Sequence, residues 1–154
     1  MPSEASVVVG GAGGPDTLSV IVSSGAFERV HYALVLASAA AAIGKPATLF
    51  FTHHALRALG AADDHGVAGW RRLAADAAED GGAADDAWRA RGVAGFEELL
   101  SACVELGVRF IACEMGLRVM GLAAGDLRAD VPIEVAGVVT LLGDASADGA
   151  MLML

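Results

Sequence analysis

Short apolar runs alternate with helical stretches along most of the chain, and this alternation restricts the possible folds more than any other feature. Runs that favour strands lie at residues 18–22, 47–52, 108–112, 132–135 and 150–154. The segments between them place apolar residues at helical spacing. A strand, a helix and a second strand with short connections make the βαβ unit of a parallel sheet. We therefore predict a three-layer α/β/α domain of the flavodoxin-like class, with a mainly parallel five-stranded sheet.

Glycines and prolines mark where the predicted helices end. The first helix is expected from Ala26 to Ile43, because Gly44 stops it and Pro46 prevents its return. Another runs from Phe96 to Leu106 and ends at Gly107. Shorter helices are expected at residues 54–59, 114–122 and 137–145.

Two regions depart from the alternation. Residues 1–17 contain a run of glycines with no strand before them, which a phosphate-binding loop would need, and we interpret them as a flexible N-terminal tail. Residues 60–93 are rich in glycine, alanine and aspartate, with Trp70 and Trp88 as isolated large aromatics. A long excursion inside a compact domain is usually a disordered insert or a lid. We expect one domain over residues 18–154, with a lid-like insertion that the tryptophans anchor.

Charge and hydropathy limit the partners that the chain can have. The formal net charge is −9, with 10 lysine and arginine residues and no basic run, so nucleic acid is not an expected partner. The longest apolar stretch, Ala33 to Ile43, is too short to span a bilayer. Glu4 stands where a secretory signal would have basic residues. We expect a cytoplasmic protein that does not contact a membrane.

The stretch from Ala33 to Ile43 also predicts self-association. Apolar residues make up 55% of the chain, and this part of the first helix is apolar nearly all round. One side of such a helix packs on the sheet, and the other side then needs a partner. We therefore expect a homo-oligomer.

Cys113 is the residue best placed for chemistry. It lies between the third predicted strand and a helix, and the binding crevices of open α/β sheets lie at the carboxyl ends of the strands. Backbone N–H groups at a helix N-terminus stabilise a thiolate, the nucleophilic form of cysteine. Glu114, the next residue, opposes this effect. The alternative is that Cys113 is a small apolar residue that fills the end of the strand.

Cys103, the other cysteine, is expected in the core. It lies on the core-facing stripe of the helix at 96–106, which runs antiparallel to the third strand. The two cysteines then lie at different heights in the domain. A disulfide needs Cα atoms within about 7 Å of each other, so we predict that no intrachain disulfide forms.

Histidines occur at the same edge of the predicted sheet. His53 and His54 follow the second strand, and His31 lies in the second turn of the first helix. One of them could serve as a base for Cys113, although plain surface positions are the alternative. Adjacent histidines usually point in different directions, so at most one of the pair is expected to face the cleft. No Cys-x-x-Cys pair supports a metal site, and we predict neither a metal nor a cofactor.

The turn after the first strand is a candidate anion site. Ser23, Ser24 and Gly25 form this strand-to-helix connection, and its backbone N–H groups could hold a persulfide or a carboxylate. An ordinary helix cap is the alternative interpretation.

The stretch from Cys113 to Gly121, Cys-Glu-Met-Gly-Leu-Arg-Val-Met-Gly, resembles the Cys-x-Met and Met-Gly pattern of DsrE/DsrF-like proteins, especially their peroxiredoxin-like branch. Other pieces that agree in order are residues 23–25, 49–52 and 134–138. The resemblance covers residues 18–154. This chain has His53-His54 where that branch has an aromatic-rich run, which is a departure from the pattern.

The resemblance implies a parallel α/β/α domain that forms homo- or hetero-oligomers, often trimers or hexamers. In the best understood members, the cysteine at the position of Cys113 carries a persulfide and passes the sulfur to a partner protein. Sulfur donor and acceptor proteins are then the expected partners. Glu114 and Met115 belong to the same motif and are candidate ligand contacts.

Two functions of different classes follow. The first is a sulfur carrier or sulfurtransferase-like protein with Cys113 as the acceptor. The second is a non-catalytic oligomeric protein in which Cys113 is structural and the cleft holds a small ligand. Solvent access and thiolate character at Cys113 distinguish them. A flavodoxin-like enzyme is a weaker third possibility, since no segment resembles a flavin phosphate loop.

Overall fold

Five strands form the centre of the domain. A computed structural model describes residues 13–154, and residues 1–12, which make up most of the predicted tail, lie outside the described part. The strands are β1 (Leu18–Val22), β2 (Ala47–Phe51), β3 (Arg109–Cys113), β4 (Ile133–Ala136) and β5 (Ala150–Met153). Their bounds differ from the predicted ones by at most one residue.

The sheet has the strand order β4-β3-β2-β1-β5, and every neighbouring pair is parallel. Near the carboxyl edge, Val22 pairs with Phe51, Phe51 with Ala112, and Ala112 with Val135. All five strands therefore end at one edge of the sheet. The predicted α/β fold with a parallel five-stranded sheet is confirmed.

Helices connect the strands. The α-helices are α1 (Phe27–Ala42), α2 (Gly81–Arg89), α3 (Phe96–Glu105), α4 (Glu114–Met120) and α5 (Val138–Asp144). Three 3₁₀ helices cover His53–Leu59, Gly69–Arg72 and Ala124–Asp126. No helix within residues 13–154 is long and apolar enough to cross a membrane.

The two faces of the sheet are covered unequally. Alternate strand residues point to opposite faces, so Phe110 and Ala112 lie on one face of β3 while Ile111 and Cys113 lie on the other. The first pair belongs to the main core with α1 and α3, here called the α1 face. The second pair belongs to a small cluster in which Leu141 is the buried residue of α5, here called the α5 face. A seven-residue helix is thus the main cover of the α5 face among the described residues.

The 60–93 segment is an ordered part of the α1 face. Trp70 is only 2% exposed, stacks on Phe96 with ring centroids 4.6 Å apart, and donates its indole N–H to Glu97 at 2.6 Å. Arg128 donates two hydrogen bonds of 2.9 Å to the same carboxylate and so joins the segment to the loop before β4. The predicted anchoring by Trp70 is present.

The same segment contains the helix α2, which is not among the helices predicted from the sequence. Two glycines open α2, and glycine is a poor helix former, so the sequence gives a weak signal there. Packing explains the glycine at 81, because a Cβ on Gly81 would lie 2.9 Å from Cδ1 of Phe27. Asp80 caps the helix by accepting a 2.9 Å bond from the N–H of Ala83.

Candidate functional site

Cys113 is the last residue of β3 and the N-cap of α4. Its Sγ accepts a hydrogen bond of 3.4 Å from the N–H of Gly116, where a capping serine or aspartate would place an oxygen. The residue is 1% exposed. The sulfur therefore has a donor that stabilises negative charge, and it is covered by protein.

Thr52 lies next to Cys113 across the sheet. Phe51 pairs with Ala112, so the residues that follow them are neighbours on the α5 face. Thr52 is buried, and it lies very close to Gly116. If residue 116 had a side chain, its Cβ would overlap Oγ1 of Thr52 and would lie 2.9 Å from the backbone N of His53. Glycine at 116 is what allows the first turn of α4 to approach the end of β2 this closely.

His53 and His54 point in different directions, as predicted. His53 has a φ of +49°, the left-handed region that non-glycine residues rarely adopt, and its Nδ1 lies 3.2 Å from Thr52 Oγ1. The Cβ of His54 packs against Gly25, 2.9 Å from where a Cβ on that glycine would stand. His53 is thus on the Cys113 side, and His54 is on the side of the β1–α1 turn.

Both serine hydroxyls of the β1–α1 turn form hydrogen bonds with backbone groups of the protein. The hydroxyl of Ser23 donates to the carbonyl of Leu154 at 3.3 Å, and Ser24 Oγ accepts from the N–H of Ala26 at 3.1 Å. The second bond is that of an ordinary turn before a helix. Ser23 nevertheless continues the row that holds Thr52 and Cys113, because Val22 pairs with Phe51.

Leu141 covers Cys113 from the α5 face, and a salt bridge also joins its helix to β3. Arg109 donates to Asp144 of α5 at 2.6 Å and to Glu134 of β4 at 2.9 Å. These hydrogen bonds raise the pKa of Arg109 above its usual range and lower that of Glu134. All three groups are exposed or half-buried, so each ion pair contributes little to stability.

Glu114 and Met115, the other candidates from the motif, project outward at the start of α4. Met115 is 55% exposed, and Glu114 pairs with Arg118 one turn later at 3.6 Å. His31 lies away from Cys113. It is buried beside Trp88, and its Nε2 is 2.9 Å from the carbonyl oxygen of Ala94.

Cys103 is a fully buried core residue, as predicted. Its thiol donates to the carbonyl of Leu34 at 3.6 Å, and burial raises its pKa to about 12. Both cysteines are free thiols, which agrees with the prediction of no disulfide. The environments of the two cysteines differ. The sulfur of Cys113 accepts a hydrogen bond from the N–H of Gly116, whereas the thiol of Cys103 donates one to a carbonyl.

Thr52 and Gly116 were not recognised from the sequence as site residues. Thr52 lies one position beyond β2, where the register places it beside Cys113, and this pairing is the signal that could have identified it. Arg57 and Arg72 were also missed, and they line a cavity with His54 and Gly25. Within residues 13–154, no three His, Cys, Asp or Glu side chains come together as a metal site would require.

Comparisons with known proteins bear on the family and the fold of the chain. A sequence model of the DsrE/DsrF/DrsH-like family matches residues 75–153, just over half of the chain, including β3, Cys113 and α4. A solved structure, MTH1491 from Methanobacterium thermoautotrophicum, described as a protein of unknown function, superposes with a TM-score of 0.55. The two chains are 14% identical, and the match covers 90% of this chain and 98% of that one, so it supports the fold alone. No curated protein matches the chain by sequence.

Proposed function

Because this chain belongs to the DsrE/DsrF/DrsH-like family, we propose that it is a sulfur-relay protein that carries a persulfide on Cys113. The family points to a role related to sulfur relay, and the residue-level assignment is our proposal. The observation that carries it is the N–H of Gly116 directed at Cys113 Sγ from 3.4 Å, at the carboxyl end of a parallel strand.

The proposed transfer needs no oxidant or reductant. The Cys113 thiolate attacks the outer sulfur of a donor persulfide, R–S–SH. A new S–S bond forms at Cys113 while the donor's S–S bond breaks, and the donor leaves as a thiol once it has taken up a proton. An acceptor thiolate then attacks the outer sulfur on Cys113, which restores the Cys113 thiolate. Both steps are thiol–disulfide-type exchanges and are balanced in electrons.

Several described groups support charge at the sulfur. The Gly116 N–H already donates to Sγ, Thr52 is the residue that follows the partner of Ala112 on β2, and its hydroxyl lies against Gly116. His53 Nδ1 lies 3.2 Å from that hydroxyl, so a proton can pass between the imidazole and the threonine. We propose that Thr52 and His53 position the persulfide and exchange its proton.

Access to Cys113 requires movement, because the residue is 1% exposed. The α5 helix is the element we propose to move. It contributes one buried residue, Leu141, and its other tie is the exposed Arg109–Asp144 pair. The predicted lid, residues 60–93, buries Trp70 on the α1 face instead, so its control of access to Cys113 stays a separate proposal.

Intact-mass measurement after incubation with a persulfide donor tests the function. Wild type is expected to gain one sulfur atom per chain, and a reducing agent should remove it. Cys113→Ser should gain none, while the matched control Cys103→Ser should still gain one. Equal sulfur uptake by the Cys113→Ser variant, or no uptake by folded wild type, would contradict the proposal.

A non-catalytic ligand-binding role is the second candidate. Cys113 is almost completely buried in an apolar cluster with Phe50 and Ile111. This favours the second candidate, because a structural cysteine needs no access to a partner. If this role is correct, folded wild type gains no sulfur in the intact-mass measurement but still binds a small ligand elsewhere in the domain.

We also propose a homo-oligomer that uses the α5 face. The exposed apolar side chains there include Val139 (85%), Leu142 (60%) and Met153 (66%). On α1, where the sequence suggested the contact, the large exposed apolar residues of the helix and its C-cap are Tyr32 and Ile43. Exposed apolar surface of this kind is typical of subunit contacts.

A further inference from the structure

A cavity of about 270 Å³ lies beside the carboxyl edge of the sheet. It is lined by Gly25, His54, Arg57, Gly69, Arg72, Leu73 and Ala74. Leu73 is part of the core of the α1 face, whereas Cys113 belongs to the cluster on the other face. The cavity is therefore distinct from the cysteine site.

Two 3₁₀ helices supply the basic residues of this cavity. In a 3₁₀ helix, residues three positions apart lie above one another on the same face. His54 and Arg57 are spaced in this way on the helix His53–Leu59, and Gly69 and Arg72 on the helix Gly69–Arg72. Each helix thus presents one pair to the cavity, and each pair contains an arginine.

Glycines bring these walls together. A Cβ on Gly69 would overlap the carbonyl oxygen of Arg57, and a Cβ on Gly25 would stand 2.9 Å from Cβ of His54. Larger residues at either position would push the walls apart. The small volume of the cavity and the approach of its basic residues therefore depend on the same two glycines.

The cavity is a basic region of an acidic chain. Its lining contains two arginines and one histidine but no carboxylate, while the chain carries a net charge of −9. Within residues 13–154, Arg57 makes no ion pair or side-chain hydrogen bond. Arg72 pairs with Asp63, which lies outside the lining, and a guanidinium with five N–H groups can bind a second acceptor.

We propose that this cavity binds a small organic anion, with its carboxylate on Arg57 and Arg72 and an apolar body against Leu73 and Ala74. A guanidinium binds a carboxylate through two parallel hydrogen bonds, and Arg57 can offer both because none of the described residues, 13–154, pairs with its side chain. The apolar lining from Leu73, Ala74 and the glycines suits a ligand with a short carbon skeleton rather than a bare inorganic ion. This site does not depend on persulfide chemistry at Cys113, so each can fail without the other.

Benzoate is a suitable probe, with benzamide as its uncharged isostere and inorganic phosphate as the purely ionic comparison. Binding is followed on the intact chain through the backbone amide NMR signals of Gly25, Gly69, Leu73 and Ala74. Arg57→Gln removes the guanidinium of Arg57 from the cavity. Arg91→Gln is the matched control, because it removes the same charge from an exposed position that does not line the cavity. Urea unfolding checks that both variants are folded.

Benzoate is expected to shift these four amides with saturation, and Arg57→Gln is expected to weaken its binding about tenfold or more. Arg91→Gln should leave the affinity within about twofold, since it changes only long-range charge. Benzamide and phosphate should bind more weakly than benzoate. The proposal is overturned if the four amides show no saturable shift up to about 20 mM, above the millimolar range expected for so small a ligand. It is also overturned if benzamide or phosphate binds as well as benzoate, or if both variants weaken benzoate equally.

Discussion

Leu141→Ala should expose Cys113 without unfolding the domain. Leu141 is 3% exposed and is the buried residue through which α5 packs on the sheet. Removing a buried leucine side chain costs about 3 kcal/mol. In the single chain the rest of α5 is exposed or half-buried, so below the concentration at which the protein self-associates nearly all of this loss should appear as a shift in the equilibrium between docked and detached α5. At 1.4 kcal/mol per factor of ten, the detached population rises about 100-fold.

Alkylation of the native protein measures that population. Iodoacetamide is added at mildly alkaline pH, and peptide mass spectrometry reports Cys113 and Cys103 separately. When docking is fast relative to modification, the rate at Cys113 follows the detached fraction and should rise about 100-fold. Cys103 should stay unmodified, because it lies in the core of the α1 face.

Leu100→Ala is the matched control. It makes the same substitution at a residue that is 2% exposed, but on the α1 face. It should lower the urea midpoint at least as much as Leu141→Ala and leave the Cys113 rate within a few-fold of wild type. The reasoning is refuted if Leu141→Ala leaves the Cys113 rate within about twofold of wild type, or if Cys103 and Cys113 accelerate together.

Cys103, Glu97 and Val139 test other parts of the structure. Burial raises the pKa of Cys103 to about 12 from about 9. The free energy that the buried neutral thiol contributes to folding is therefore present below pH 9 and is lost as the pH rises toward 12. Urea unfolding should show that Cys103→Val loses less stability than wild type over that pH range. The Arg128 guanidinium lowers the pKa of Glu97, so the unfolding free energy of wild type should fall as the pH drops below about 4.5. Glu97→Gln should reduce this fall by roughly 1 kcal/mol or less, because the Glu97 side chain is half exposed. The same fall in both proteins would contradict this prediction. Val139→Asp should reduce the oligomer mass in light scattering with unchanged circular dichroism, and a wild type that is already monomeric at micromolar concentration would refute the interface.

The strands were predictable because parallel strands buried on both faces read as continuous apolar runs. β1, β2 and β3 have that character, and each lies within one residue of its predicted place. The helix α2 was not predictable, since its two opening glycines have poor helix propensity and the first of them, Gly81, is required by its packing against Phe27. Tertiary contacts decided the structure there.

The site was predictable in position and less so in its surroundings. The end of β3 identified Cys113, because the edge at which a parallel strand ends follows from the chain direction alone. Its burial depends on where α5 docks, and residue spacing carries no information about that. Gly25 and His54 were predicted as ligand contacts at the carboxyl edge of the sheet, and they line a cavity on the α1 face because His54 turns away from the cysteine.

The backbone conformation of His53 explains why His53 lies on the Cys113 side while His54 faces the basic cavity. A left-handed residue at φ +49° costs on the order of 1–3 kcal/mol and persists only where the structure on both sides holds it. On one side, buried Thr52 is packed against Gly116 of α4, and on the other, His54 is packed against Gly25 of the β1–α1 turn. Both contacts need a glycine on the opposing element, so neither neighbour can relax without separating two packed elements. The same pair of contacts therefore fixes His53 beside Thr52 and directs His54 toward the basic cavity.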